Sequence, residues 1–376
     1  MKAIVIGSGI VGASVAYRLA EAGAQVTIIE ERRIGGGTSS VSYAWVNACE
    51  KLDSKSYFDL NVMGREAHER LANELGGHDW YPRPGVLQWQ DANSEAGGID
   101  RENQLEKYEK LKSWGYPAEL IAADQLGSLE PDIDPAFYGN RPIIHYLEDG
   151  WCHAVVYAGR VIGAAIDRHD ARFVRGKVRA IATDDAKCIG VDLDGGGRIA
   201  AHIVVNAAGR WANEFLDDTA TVPLAPKAGL VAYTMPAGLR LTRGLRTPEL
   251  NLRPDGAGRL LLRAGDIDEL IDGEAPPEAA QEHADELLAR ARRLLPDLSD
   301  VPLEASRVAI RPKPADSYSA IGPIPGLSGF YATVTHSGVT LGPAIGELVA
   351  DEILNGTERP ELADFRPARF KTAVSA

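Results

Sequence analysis

Cysteine is scarce: Cys49, Cys152 and Cys188 are the only three in 376 residues, far apart and with no CxxC pair. That excludes a disulfide framework and a cysteine-built zinc site, and it suits a reducing cytoplasm. Positive charge is also short. The 40 Lys and Arg are outnumbered by 53 Asp and Glu, for a net charge of −13. This argues against nucleic acid or an anionic membrane as the main partner, since both reward clustered cations. Long apolar runs are missing too. The N-terminal stretch is broken by Gly7, Gly9 and Gly12 and ended by Arg18, short of the ~18 residues of a transmembrane segment and without a signal-peptide cleavage site. The eight histidines show no HxH or HExxH spacing, so no metal site is expected. No Ser or Cys sits in a nucleophile elbow. What remains is ordinary globular composition, 45% hydrophobic and 25% charged, in a chain long enough for two or three domains at ~150 residues each.

The clearest local signal opens the chain. Residues 2–7 form a short β-branched run, a buried parallel strand. Residues 10–22 carry Val11, Val15, Leu19 and Ala22 on one helical face, with Gly23 closing the helix. Residues 25–30 form a second strand. Between strand and helix lies Gly7-Ser8-Gly9-Ile10-Val11-Gly12, a GxGxxG in the context that the motif requires. Gly7 permits the tight turn, Gly9 lets a pyrophosphate approach the backbone, and Gly12 lets helix and strand pack closely. The helix N-terminus offers unpaired N–H groups and partial positive charge to the phosphates. Glu30 ends the second strand 18 residues after Gly12, where its carboxylate reaches ribose hydroxyls. An ADP-containing dinucleotide binds here, and this pattern alone fits NAD and FAD equally. Glu30 disfavours a 2′-phosphate; the following Arg32 and Arg33 either touch adenosine or phosphate or are solvated loop charge.

Further along, 55–75, 101–114, 154–166 and 277–295 read as helices. Residues 83–90, 172–182, 188–193 and 198–205 read as strands, and 228–264 alternates like an antiparallel sheet. The α/β character therefore appears at both ends and in the middle, separated by β-rich insertions. Two interleaved domains are expected: a Rossmann-like α/β unit over 1–46, 143–220 and 309–376, and an α+β unit built on an antiparallel sheet over 47–142 and 221–308.

Several stretches resemble the family of D-amino-acid oxidase, glycine oxidase and sarcosine oxidase, FAD enzymes that oxidise amines. They are RIGGGTSS (33–40), AADQLGSLEPDI (122–133), EDGWCHA (148–154), VVNAAGRW (204–211), RPKPADSYSAIGPIPG (311–326) and THSGVTLGPAIGELVADEI (335–353). The resemblance covers nearly the whole chain, its terminal motifs being specific and its middle diffuse. It extends the cofactor-contacting set to Glu31, Arg32, Thr38, Ser39, Ser40, Val178, Ala208, Gly209 and Trp211. It also adds Ser337, Gly338, Val339 and Thr340, a helix start whose N–H groups suit the flavin edge that becomes anionic on reduction.

On the substrate side, the position of Arg311 matches the arginine that holds the substrate carboxylate in amino-acid-oxidising members, a role that a guanidinium fork suits. The alternative is a salt bridge to Asp316 or another acid. His336, just before the turn, either meets substrate or flavin or is a buried, hydrogen-bonded histidine. Three departures stand out. Ser42-Tyr43-Ala44 replaces an Asn-x-Gly, so that Tyr43 and Trp45 line the pocket or pack in the core. Asn251 stands where related oxidases carry a substrate-contacting Tyr. Ala309 and Ser42 occupy the places of covalent flavin attachment, so non-covalent FAD is expected. The implied reaction is oxidation of the C–N bond of an amino acid or N-substituted amino acid by hydride transfer to flavin N5. The resulting imine hydrolyses to an oxo product, and electrons pass to O₂ or a carrier. Two alternatives remain at this point: an NAD-dependent opine or hydroxy-acid dehydrogenase, and a flavin-binding subunit of a larger amine dehydrogenase complex.

Overall fold

The computed structural model describes residues 1–90, 101–216, 221–274 and 278–373. A six-stranded sheet places Lys2–Ile6 between Gln25–Glu30 and Ile203–Asn206, in parallel with both. Arg172–Arg175 extends it on one side; Phe330–Val334, then antiparallel Ala320–Pro323, extend it on the other. Buried on both faces, its central strands read as continuous apolar runs. Helices Ile10–Glu21, Ala154–His169 and Gly338–Asn355 pack in one apolar cluster with this sheet.

An eight-stranded sheet runs in the order Leu303–Pro314, Leu224–Thr234, Leu260–Arg263, Asn251–Pro254, Gly244–Arg246, Val86–Gln88, Ile143–Tyr146 and Ala118–Ile121. All its pairs are antiparallel except Gly244–Arg246 with Val86–Gln88. One face carries Leu87, Leu245, Leu252 and Leu262 against Leu287, Leu288 and Ala291 of the amphipathic helix Gln281–Leu294. Because side chains alternate along a strand, the other face carries Gln88, Arg246, Asn251 and Arg263, which sit opposite one another in register across four strands.

Some expected boundaries move. Residues 172–182 form two strands, Arg172–Arg175 in the six-stranded sheet and Val178–Asp184 in a separate three-stranded one, the break falling at Gly176 and Lys177. Residues 198–205 likewise divide into Arg198–Ala200 and Ile203–Asn206, in different sheets. Ile143–Tyr146, counted with the cofactor-binding segments above, belongs to the eight-stranded sheet, as does Leu303–Pro314 on both sides of residue 309. That last strand pairs without interruption from Val308 to Pro314, so nothing local marks a boundary there. The helix expected over 277–295 is Gln281–Leu294, with residue 277 outside the described residues. Among the described residues no helix is long and apolar enough to cross a membrane.

Candidate functional site

A cleft of about 1220 Å³, its open mouth included, runs along the C-terminal ends of the parallel strands. At one side stands the N-terminus of helix Ile10–Glu21. Gly7 has φ +97°, and a Cβ there would lie 2.6 Å from the Ala207 carbonyl oxygen; a Cβ on Gly12 would lie 2.1 Å from that of Gly7. These glycines let strand, turn and helix close on each other. Gly9 is the helix N-cap and provides no side-chain acceptor, and the first turn holds no acid. The positive end of the helix therefore faces the cleft with amides to spare, a seat for a phosphate. Ser39 Oγ accepts from the Ile10 amide at 3.2 Å. Glu30 lines the cleft at the end of its strand; its carboxylate takes the Ser8 amide (3.0 Å), the Ser8 hydroxyl (2.6 Å) and the Arg32 amide (2.8 Å). Arg32 lies over the Trp211 ring at 5.4 Å.

A second helix N-terminus opens on the same cleft. Gly338 and Val339 begin Gly338–Asn355, whose N-cap Ser337 makes no side-chain bond to the first turn. Glycine makes this meeting possible: a Cβ on Gly346 would lie 2.7 Å from the Ser14 carbonyl oxygen of the first helix, and one on Gly64 2.4 Å from that of Thr340. His68 Nε2 donates to the Val339 carbonyl at 2.6 Å, and burial pushes its pKa down to about 4, so it is neutral. Ser337 Oγ meets Tyr57 Oη at 3.0 Å.

Of the residues expected at the cofactor, Gly7, Gly9, Ile10, Val11, Glu30, Glu31, Arg32, Thr38, Ser39, Val178, Ala208, Gly209, Trp211, Gly338 and Val339 line this cleft. Gly12 packs beneath it. The Ser40 hydroxyl donates to the Gly37 carbonyl, and Thr340 Oγ1 turns to the Trp45 carbonyl and Asn47 amide, each at 3.3 Å. Lys177, Glu214 and Phe215 also line the cleft, and no motif pointed to them because loops with no fixed spacing deliver them; Pro312 and Thr335, which line it too, fall inside the stretches 311–326 and 335–353 quoted above.

His336 lines the cleft with its ring exposed to it. The protein packed around it, together with the cations Lys51, Arg311, Lys313 and Arg263, pushes its pKa down to about 3. Arg311 lies on the strand whose Pro312 lines the cleft, and Thr38 Oγ1 donates to Ile310 O next to it at 3.0 Å. Its Nη2 donates to the buried Asp268, which also accepts Nε and Nη2 of Arg263 at 2.8 and 2.6 Å. Asp316, the acid named above as a possible partner, pairs instead with Arg369. Arg311 thus has an ion pair, while its Nε and Nη1 meet no acceptor among the described residues. Its guanidinium rests on Gly229, where a Cβ would lie 2.6 Å from Nη2.

Asn251 is buried between Arg246 and Arg263 on the polar sheet face. The Tyr43 hydroxyl reaches the Leu252 and Leu245 carbonyls at 3.0 and 3.4 Å, and its own carbonyl accepts from Arg253 Nε at 2.8 Å. Tyr43 therefore braces its loop against that sheet, and burial raises its hydroxyl to about 12. Neither Tyr43 nor Asn251 lines the cofactor cleft. Trp45 donates to the buried Asp149 at 2.9 Å and carries the Arg246 guanidinium 4.7 Å above its ring. Arg246, Arg263 and Asp268 escaped the sequence reading, although GLR (244–246) and LLLR (260–263) each end a strand with an arginine.

Two helix ends over the C-terminal edge of a parallel sheet define a dinucleotide-binding architecture. The chain matches the family described as "DAO: FAD dependent oxidoreductase" over residues 2–352 and belongs to it. That sets aside the NAD-dependent dehydrogenase and makes the chain an FAD-dependent oxidoreductase of a family acting on amino acids and amines. Glycine oxidase of Bacillus licheniformis is 26% identical over 386 aligned residues, 99% of this chain and 98% of the relative. D-proline dehydrogenase of Pyrobaculum islandicum is 25% identical over 415, covering 99% and 100%. The crystal structure of glycine oxidase from Geobacillus kaustophilus superposes with a TM-score of 0.83 at 24% identity, covering 97% of each chain.

Proposed function

We propose that this chain, in the cytoplasm, oxidises the C–N bond of a small amino acid or N-substituted amino acid with non-covalently held FAD. The observation that carries the reading is the pair of helix N-termini opening on one cleft, with Arg311 on the strand beside it. FAD fits the residues present: the Gly9 approach and the amides at Ile10 suit a pyrophosphate, Glu30 suits ribose hydroxyls, and the Gly338–Val339 turn suits an electron-rich ring edge. When bound, FAD supplies the acceptor for a hydride leaving a carbon next to nitrogen.

The chain's own work is binding and orientation. Arg311 takes the substrate carboxylate on its open donors while Asp268 anchors the rest of its guanidinium, fixing the carboxylate relative to the cleft. His336 is neutral at working pH and adds no charge beside the reacting carbon. Ser42 and Ala309, at the places used for covalent attachment, offer no thiol or imidazole. Glycine oxidase and D-proline dehydrogenase among the relatives support a small amino-acid substrate.

Purified protein will be yellow, acid precipitation will release the flavin into the supernatant, and anaerobic addition of a substrate amino acid will bleach it. An oxygen electrode and a dye-reduction assay then separate O₂ from a carrier as acceptor. Arg311→Met will raise KM by about 30- to 1,000-fold for a carboxylate substrate, the range for removing one partner of a hydrogen-bonded charge pair. A colourless protein that binds NADH would sink the proposal.

A further inference from the structure

The polar face of the eight-stranded sheet carries more positive charge than the reading above uses. Arg246, Arg263 and Arg311 converge there; the acids paired with them are Asp268 and Glu50, and Glu269, held by Lys227, acts on Arg311 and Lys313 from further off. The donors are unevenly used. Arg263 and Arg311 share one Asp268 oxygen, and the other Asp268 oxygen accepts the Leu230 amide at 2.8 Å. Arg246 makes no side-chain hydrogen bond among the described residues, and its Nε is buried without a partner. Glu50 is the acid nearest to it, 3.6 Å away, and the other Glu50 oxygen is held by Lys107. Stacking on Trp45, itself tied to Asp149, holds the guanidinium in place. A largely buried guanidinium with open donors is costly unless something accepts from it. Lys51 and Lys313 add further positive charge, since they act with Arg263 and Arg311 on His336. The face is built for an anion.

One α-carboxylate needs one fork, and Arg311 supplies it. We propose that Arg246, Asn251 and Arg263 seat a second carboxylate of the substrate, which makes the preferred substrates dicarboxylic amino or imino acids. Asn251 stands between the two arginines, its cross-strand neighbours at ~5 Å spacing. Its short amide donates to a carboxylate oxygen and leaves room between the two guanidinium groups, room that a tyrosine would fill. Asp268 anchors one edge of the Arg263 fork, and Glu50 stands 3.6 Å from Arg246 without hydrogen-bonding it, so the row is not neutralised.

This inference rests on the amino-acid-oxidising reading, and its test separates the two. The holoenzyme is assayed by anaerobic flavin bleaching, and by turnover with an artificial dye as electron acceptor, with sarcosine, glycine and D-alanine against iminodiacetate, D-aspartate and D-glutamate. In parallel, acetate, malonate and succinate are titrated into it without turnover, and the flavin absorbance is followed. Support is a kcat/KM at least about tenfold higher for a dicarboxylate, with malonate or succinate perturbing the spectrum at lower concentration than acetate. In Arg246→Gln the dicarboxylate-to-monocarboxylate ratio of kcat/KM falls by about 30- to 1,000-fold, the loss for removing one partner of a hydrogen-bonded charge pair. Arg246→Lys, which keeps the charge and loses the fork, recovers part of that ratio. Bleaching by monocarboxylates as fast or faster overturns the inference and leaves the function standing, as does an equal loss for both classes in Arg246→Gln. Bleaching by none of them overturns both. The wild-type panel and the titration need no variant to fold.

Discussion

Gly229→Ala tests the placement of Arg311 with one methyl group. A Cβ at residue 229 would lie 2.6 Å from Nη2, 2.8 Å from Nε and 3.1 Å from Cζ of Arg311. Ordinary carbon contacts begin near ~3.5 Å, so the guanidinium must retreat by about 1 Å. The atoms in the way are the far end of a flexible side chain, so the fold gives way cheaply. Alanine also removes about 0.5–1 kcal/mol of the backbone entropy cost of glycine in a strand. The expected result is a Tm within a few degrees of wild type and normal FAD content. An offset of ~1 Å costs on the order of 10²-fold when orientation matters, so kcat/KM for a carboxylate substrate falls by about 30- to 100-fold, mainly through KM. Steady-state kinetics on one amino acid and on an amine lacking a carboxylate form the assay. Unchanged kinetics, or equal losses on both compounds, would refute the placement of substrate on Arg311.

Other perturbations address the cofactor side and the buried acids. Gly12→Ala pushes a Cβ to 2.1 Å from the Gly7 backbone oxygen, and neither backbone can yield, so the variant will purify colourless or insoluble; normal flavin occupancy would contradict the turn geometry. Glu30→Gln keeps the Ser8 contacts in part and loses the charge, so FAD affinity, read by equilibrium dialysis, will drop by about tenfold. His336 has a pKa near 3, so it stays neutral above about pH 4, and the shape of the kcat/KM profile between pH 5 and 8 will be the same in His336→Asn. Asp149 is buried, and desolvation raises it from 3.8 to about 6. Because its folded value lies above its unfolded one, its contribution is full below about pH 4 and is lost as pH rises through 6. The loss is about 3 kcal/mol at ~1.4 kcal/mol per unit. Denaturant melts of wild type against Asp149→Asn should show wild type losing ground between pH 4 and 7; parallel curves would refute the shift.

The cofactor half of the site was the legible half. A strand, a glycine turn and a helix are local, so spacing alone placed Gly7 to Gly12 and Glu30, and the resemblance placed Gly338 and Val339. The substrate half is made by strand pairing across long separations: Gln88, Arg246, Asn251 and Arg263 come from four strands and meet only through register. A linear reading could find Asn251 beside Pro254, yet it had no way to see that two arginines flank it. Tyr43 shows the same limit from the other side. Its aromatic ring near a glycine loop suggested a pocket wall, and the fold uses its hydroxyl as a brace on two strand carbonyls.

The Gly346–Ser14 crossing has a consequence for cofactor choice. Backbone packed directly on backbone has almost no give, so the interval between the two helix ends is a constant of the scaffold and not a property of mobile loops. The crossing acts as a length gauge. Any flavin must span that interval from ring edge to phosphate, and only the dinucleotide also brings a ribose to Glu30. Widening the crossing by one methyl at residue 346 would detune that gauge without removing a single group that touches the ligand.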